Sequence, residues 1–323
     1  MKKLTITTAA ALLALAAVCA WGDWVYEGQW GSRGSANGQF SNPANIGVAA
    51  SGNVYVSDTY NYRVQYFTPT GSFLGKWGKE GTGNNEFRYP SGIDVSIADR
   101  VYVVDAWALC VKYFTTSGSY LGKWGSHGTG NGEFHIMGGV DVAANRRVYV
   151  VDNGNYRVQY FTSEGSFLGK FGSYGSGNGE FLDPTALAVN GNGNVYVTDY
   201  TECRIQYFTA NGSFLGRWGS KGNRAGQFLN PKGIAIAPSG LVIVADTNNH
   251  RVQYFTATGS FLGMWGSFGS GNGEFAGTSD LEPSPSGAFI YVADNGNHRV
   301  QYFRWTEPAV APASLGRVKA LFR

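Results

Sequence analysis

The chain repeats one sentence along most of its length. The stretch "DTYNYRVQYFTPTGSFLGKWG" (58–78) recurs with small edits. Its leading aspartates, Asp58, Asp105, Asp152, Asp199 and Asp246, stand 47 residues apart, and Asp294 follows after 48. A period in this range means that one supersecondary unit is stacked on copies of itself. Each copy holds four short pieces. The first, such as "GIDVS" (92–96) or "GIAIA" (233–237), usually follows a proline (Pro43, Pro90, Pro184, Pro231); "NVYVSD", "RVQYFT" and "SFLGKWG" or close variants come after it. Val, Ile, Tyr and Phe dominate these pieces and suit strands, while Gly, Asn, Asp and Ser between them suit turns. Apolar residues occur on both sides of each piece, as in a sheet buried on both faces.

Four antiparallel strands at this period predict a β-propeller. The ends of the chain give the blade count. The aromatic closing the fourth strand falls at Trp30, Trp77, Trp124, Phe171, Trp218 and Trp265, and the first of these, in "VYEGQWGS" (25–32), precedes any full repeat. The last repeat stops after "RVQYFRW" (299–305) with no fourth piece. The N-terminal segment is therefore expected to supply the outer strand of the last blade, which removes two open sheet edges. The prediction is an all-β, six-bladed propeller of four-stranded antiparallel blades. A kelch or WD-type array is disfavoured, because the chain has no Trp-Asp dipeptide and a single Gly-Gly, at 138–139.

Composition excludes other classes. The 47 glycines follow no three-residue period, so the chain is not collagenous. Aromatic and charged residues at 15% each suit a packed, turn-rich β protein rather than a disordered one. A formal charge of +3 in 323 residues lacks the electrostatic footprint of a nucleic-acid binder.

Residues 1–20, "MKKLTITTAAALLALAAVCA", combine two lysines, a short apolar run and small residues at the end. A signal peptide cut after Ala20 is expected, hence a secreted, periplasmic or cell-surface protein, monomeric and without a membrane span. Residues 21–305 form the expected propeller, and 306–323 a linker and short basic tail. Cys19 leaves with the leader. Cys110 and Cys203 fall in turns two blades apart, beyond disulfide reach, and are expected to be unbridged thiols.

The patterns "P-x-G-I-A-(I/V)", "V-Y-V-x-D-x-x-N-(Y/H)-R-V-Q-Y-F" and "G-x-G-N-G-E-F" resemble NHL repeats over residues 24–305. The resemblance implies a six-bladed propeller, here of a secreted bacterial type. It implies no single activity, since such propellers include peptide-amidating lyases, RNA-binding domains, extracellular sensors and interaction scaffolds.

The set Asp58/Asn61/Arg63 recurs intact from Asp152, Asp246 and Asp294. So many copies suit a turn-locking ion pair rather than a catalytic group. The "GTGNGEF" loops lack the Lys-Ser ending of a phosphate loop and the acidic spacing of a calcium loop. They read as blade connections, with Phe40, Phe87, Phe134, Phe181, Phe228 and Phe275 plugging between sheets.

Specific function is expected where the repeat breaks. One turn becomes "AWALC" (106–110), gaining Trp107, and another "YTECR" (200–204), with Tyr200 and Glu202. Tyr60, Tyr156, His250 and His298 should stand on the same face. This favours a non-catalytic module that binds a protein, peptide or carbohydrate. A second break lies mid-way along the innermost strand, which reads Gly47, Asp94, Asp141, Ala188, Ala235 and Glu282 through the six copies. Carboxylates at a crowded centre imply either a calcium ion held by Asp94, Asp141 and Glu282 or dense backbone hydrogen bonding. The alternative function is a metal-dependent lyase or hydrolase at the channel, similar to peptide-amidating lyase, using Asp94, Asp141 and His135. Against an enzyme, the four histidines, His127, His135, His250 and His298, define no metal site, and no nucleophile elbow, zinc-protease helix or dinucleotide fingerprint is present.

Overall fold

The computed structural model describes residues 22–306. The predicted leader, 1–20, and the predicted tail beyond Thr306 lie outside the described residues.

Six four-stranded antiparallel sheets form the ring. Blade 1 runs from channel to rim as Pro43–Val48, Val54–Asp58, Arg63–Phe67 and Phe73–Trp77, and blades 2 to 5 repeat this order. Blade 6 takes Thr278–Pro283, Phe289–Asp294 and Arg299–Thr306 from the C-terminal side and Asp23–Trp30 as its outer strand. The register runs from Asp23↔Thr306 to Trp30↔Val300, so the ring closes as the sequence predicts.

Burial explains the residue choices. Second strands such as Val54–Asp58 and Val148–Asp152 are buried at every position because a neighbouring blade covers each face. Outer strands such as Phe167–Phe171 alternate between half-buried and exposed, as a rim strand should. Phe40, Phe87, Phe134, Phe181, Phe228 and Phe275 are wholly buried. Each packs on a phenylalanine of a third strand, Phe40 on Phe67 and Phe134 on Phe161 among them. Fully burying one such ring contributes roughly 1.5–3 kcal/mol. The backbone that meets each ring, nine residues before the plug, is glycine: a Cβ on Gly78, at φ +103°, would meet the Phe87 ring at 2.7 Å.

The repeated polar set is structural, as expected. In blade 1, Asp58 accepts hydrogen bonds from Arg63 Nε at 2.7 Å, from Asn61 and Gln65, and from the Ser41 amide. Arg63 also donates to the carbonyls of Ser35, Ala36 and Gln39, clamping the incoming connection onto its blade. Blade 2 departs from the sequence reading. It lacks the arginine, but Lys112, in the slot of Gln65, lies 3.1 Å from Asp105 and donates to the Gly83 and Glu86 carbonyls. Its side chain is 1% exposed, so an internal lysine replaces both missing partners.

Tyrosines link the blades. The hydroxyls of Tyr55, Tyr102, Tyr149, Tyr196 and Tyr291 each donate to a carbonyl in the outer hairpin of the next blade, at Thr116, Ser163, Ala210, Ala257 and Pro69. Blade 5 has Ile243 in that slot, paired with Ala235 in the register. There Tyr254 Oη donates instead to the Gly22 carbonyl at 3.0 Å, tying the seam. Both Cys110 and Cys203 are buried free thiols. Among the described residues no helix is long and apolar enough to cross a membrane.

Candidate ligand-binding face and channel

Connections between blades and the turns from second to third strand share one face, because side chains such as Asn61 and Arg63 bond directly to the connection. Each of these turns ends on a left-handed residue: Tyr62, Leu109, Tyr156, Cys203, His250 and His298 have φ between +52° and +56°. That geometry is uncommon outside glycine, and the surrounding hydrogen bonds hold it.

Trp107 stands on this face, 63% exposed. Its indole stacks on Tyr89 with centroids 5.0 Å apart and planes 19° apart, and Tyr89 in turn meets Tyr60 edge-on at 6.1 Å. Tyr60 and Ile136 are also well exposed, at 56% each. Beside Trp107 lies a hollow of about 660 Å³ lined by Arg88, Tyr89, Leu109, His135 and Ile136 among others. Tyr89, Ser91 and Met137 also line a second hollow of about 420 Å³, the funnel at the mouth of the channel. Tyr60, Asn42, Asn45, Asn295 and Lys232 complete much of its wall.

The other residues singled out on this face are placed differently. Tyr200 carries the Lys232 ammonium 5.9 Å above its ring, which brings it to the funnel rim. Glu202 is half-buried in the same turn, with no ion pair among the described residues. Tyr156 packs edge-on against Tyr174 at 4.9 Å, and His250 against Phe268 at 4.8 Å. His298 Nδ1 accepts the Asn42 amide at 3.3 Å. These three cover connections rather than lining either hollow. Sequence reasoning missed Tyr89, Arg88 and Ile136. Their signal is faint, since the residues after each plugging phenylalanine vary in every copy.

In the channel, register confirms that Gly47, Asp94, Asp141, Ala188 and Glu282 are equivalent, each opposite a second-strand tyrosine. A cavity of about 90 Å³ brings Asp94, Asp141 and Glu282 together with Asp280, which sequence reading overlooked. Asp280 lies two residues before Glu282 on the same innermost strand, and blade 5 approaches it closely through Gly233, where a Cβ would meet the Asp280 Cα at 2.5 Å. Three of the four carboxyls serve backbone. Asp94 accepts the amides of Val95 at 2.6 Å and Val142 at 2.7 Å; Asp141 accepts Val189 at 2.5 Å; Asp280 accepts Ile46 at 2.9 Å. Val95 follows Asp94 on its own strand, whereas Val142, Val189 and Ile46 lie on the next blade's innermost strand, whose channel-side amides no further strand can pair. Glu282 has no such donor.

Burial raises all four carboxyls above the usual range. Asp280 is pushed up to about 7. Asp94 and Asp141 share a hydrogen bond, and burial together with the Asp94 charge drives Asp141 well up. Glu282 is raised by burial and then by the three neighbouring aspartates. The donor set fits a calcium ion poorly, since both Asp94 oxygens already accept amides and calcium takes six to eight oxygens. Among the described residues no group of three or more His, Cys, Asp or Glu is arranged to hold a metal. His135 does not join this cluster. It is exposed in the Trp107 hollow, its ring 5.6 Å from that of His127, so the pairing of His135 with Asp94 and Asp141 is corrected: they occupy the face and the channel respectively.

Comparison with known proteins agrees on the fold. The family described as "6-bladed beta-propeller" matches residues 37–123 and 133–219, and the NHL repeat matches residues 228–255. No curated protein matches by sequence. A crystal structure of a protein of unknown function from Bacteroides thetaiotaomicron has a TM-score of 0.70 at 14% identity, covering 88% of this chain and 76% of that one. Virginiamycin B lyase from Staphylococcus aureus has a TM-score of 0.58 at 13% identity, covering 80% of each chain. Hydrazine synthase of Kuenenia stuttgartiensis has a TM-score of 0.58 at 11% identity, covering 84% of this chain and 97% of that one. At such identities these likenesses concern the fold alone.

Proposed function

The chain belongs to the 6-bladed β-propeller family, and from that premise we propose that it is an exported, non-catalytic binding module whose ligand docks on the Trp107 face. The observation that carries this reading is a large, exposed indole at a break in the repeat, held flat by Tyr89 beside a hollow of ligand size. An exposed tryptophan contributes little to a fold it does not pack into, whereas at an interface it is a strong anchor. Tyr60 and Tyr200 extend the face across the funnel mouth. Protein, peptide and carbohydrate partners all fit an aromatic surface with few charges. The test is to screen the purified chain and Trp107→Ala against oligosaccharide and peptide arrays. Ligands retained by the first and lost by the second support the reading; ligands bound equally by both refute it.

A second reading, a metal-dependent lyase or hydrolase at the channel, draws on the unpartnered Glu282 beside three aspartates and on the fold shared with virginiamycin B lyase. The backbone bonds of Asp94, Asp141 and Asp280 weigh against it. Metal content of the purified chain, with melts in calcium and in EDTA, separates the two. A saturating ion at about a hundred times its dissociation constant adds roughly 2.7 kcal/mol, and a stoichiometric ion lost in Glu282→Gln would favour the channel.

A further inference from the structure

Resting on the reading of the Trp107 face as a binding face, we infer that its ligand is an anionic oligosaccharide, a short chain of pyranose rings bearing carboxylates. The platform comes first. Trp107 offers a broad flat ring whose back is fixed by Tyr89, a rigid surface on which the C–H face of a pyranose can lie. Charge comes second. Arg88 lines the hollow and Lys232 the funnel, and neither has an acidic partner among the described residues. No carboxylate lines either hollow. A ligand spanning both therefore meets two cations and no repelling acid. The channel acids below the funnel hold their protons beyond the usual carboxylate range, which lowers the negative charge reaching the mouth.

Hydrogen-bonding capacity is the third observation. Ser91 belongs to the wall shared by the two hollows. Asparagine amides crowd the funnel around it, suiting a polyhydroxylated ligand. An acidic peptide satisfies the charge but not the platform. Extended peptides gain affinity by pairing with a free strand edge, and the free edges here run along the channel and around the rim rather than across this face.

Calorimetric titration of the full purified chain with uronate tetramers (galacturonate, glucuronate-containing and mannuronate), cellotetraose and tetraglutamate tests the inference. At least one uronate is expected to bind. Its affinity should fall with added salt, and drop about tenfold or more, near 1.4 kcal/mol per tenfold, in Trp107→Ala and in the double variant Arg88→Gln, Lys232→Gln. Both variants should melt within a few degrees of the parent. Equal binding of cellotetraose would overturn the anionic requirement. Binding of tetraglutamate with no uronate bound would overturn the carbohydrate class, and so would no binding of any uronate, while a Trp107-dependent array ligand of another kind would leave the binding-face reading standing. Absence of any Trp107-dependent ligand would remove both.

Discussion

Tyr254 and Gly22 are 232 residues apart in sequence, yet the tyrosine hydroxyl donates to the glycine carbonyl at 3.0 Å. This contact replaces, at the closing seam, the hydroxyl tie found at the other five blade junctions, where an isoleucine, Ile243, has displaced the tyrosine. The bond and its counterparts should be equivalent in strength. Tyr254→Phe and Tyr149→Phe are each expected to cost about 1 kcal/mol and lower the melting temperature by roughly 2–4 °C. Calorimetric melts of the two variants check this, and a much larger loss for Tyr254→Phe would mean that the seam controls unfolding.

Lys112 carries blade 2 in place of an arginine and a glutamine. Lys112→Met should leave Asp105 buried and uncompensated, at a cost of about 3–5 kcal/mol. Restoring the repeat with Cys110→Arg and Lys112→Gln together should recover most of the parent stability, while either change alone should not. Denaturant unfolding of the four variants decides.

Burial pushes the Asp280 carboxyl up to about 7 in the folded chain, above the unfolded value of about 4. The folded state therefore holds more protons between these values. Its contribution to stability is fully present below about pH 4 and is lost as pH rises through 7. Glu282, Asp94 and Asp141 face the same cavity and shift in the same direction. Asp280→Asn keeps an oxygen for the Ile46 amide but cannot ionise. Melts from pH 4 to 8 should decline less steeply for this variant, and unchanged slopes would show that Asp280 titrates normally.

Trp107 and Trp77 should behave oppositely. Trp107→Ala removes an exposed ring and is expected to change stability by no more than about 0.5 kcal/mol. Trp77 is 8% exposed and packs on Phe114; Trp77→Ala should cost about 3–5 kcal/mol. Equal losses in the two melts would mean that Trp107 is a packing residue.

Burial pushes the Cys110 thiol up to about 11, and Cys203 is 1% exposed. Neither thiol should react with a thiol reagent in the native chain at pH 8, and both should react in denaturant.

The repeat, the blade count and the closing strand were legible because they rest on short-range chemistry. The Val-Tyr-Val pieces prefer strands, the Asp, Asn and Gly between them prefer turns, and an orphan "VYEGQWGS" at one end matched a missing strand at the other. Equivalence of Asp94, Asp141 and Glu282 was legible too, since a fixed period carries each to the same register position. The tertiary structure alone decided what those positions face. Asp280 joined the channel cavity, where it accepts the Ile46 amide of the neighbouring blade. Lys112 reached Asp105 from a slot that the repeat gives to glutamine. Tyr89 came to lie beneath Trp107 from the preceding connection, 18 residues away in the chain. Strand and turn preferences are local free energies that single residues express. A cavity, a stacked pair or a shared proton exists only once separate blades are packed at van der Waals distance.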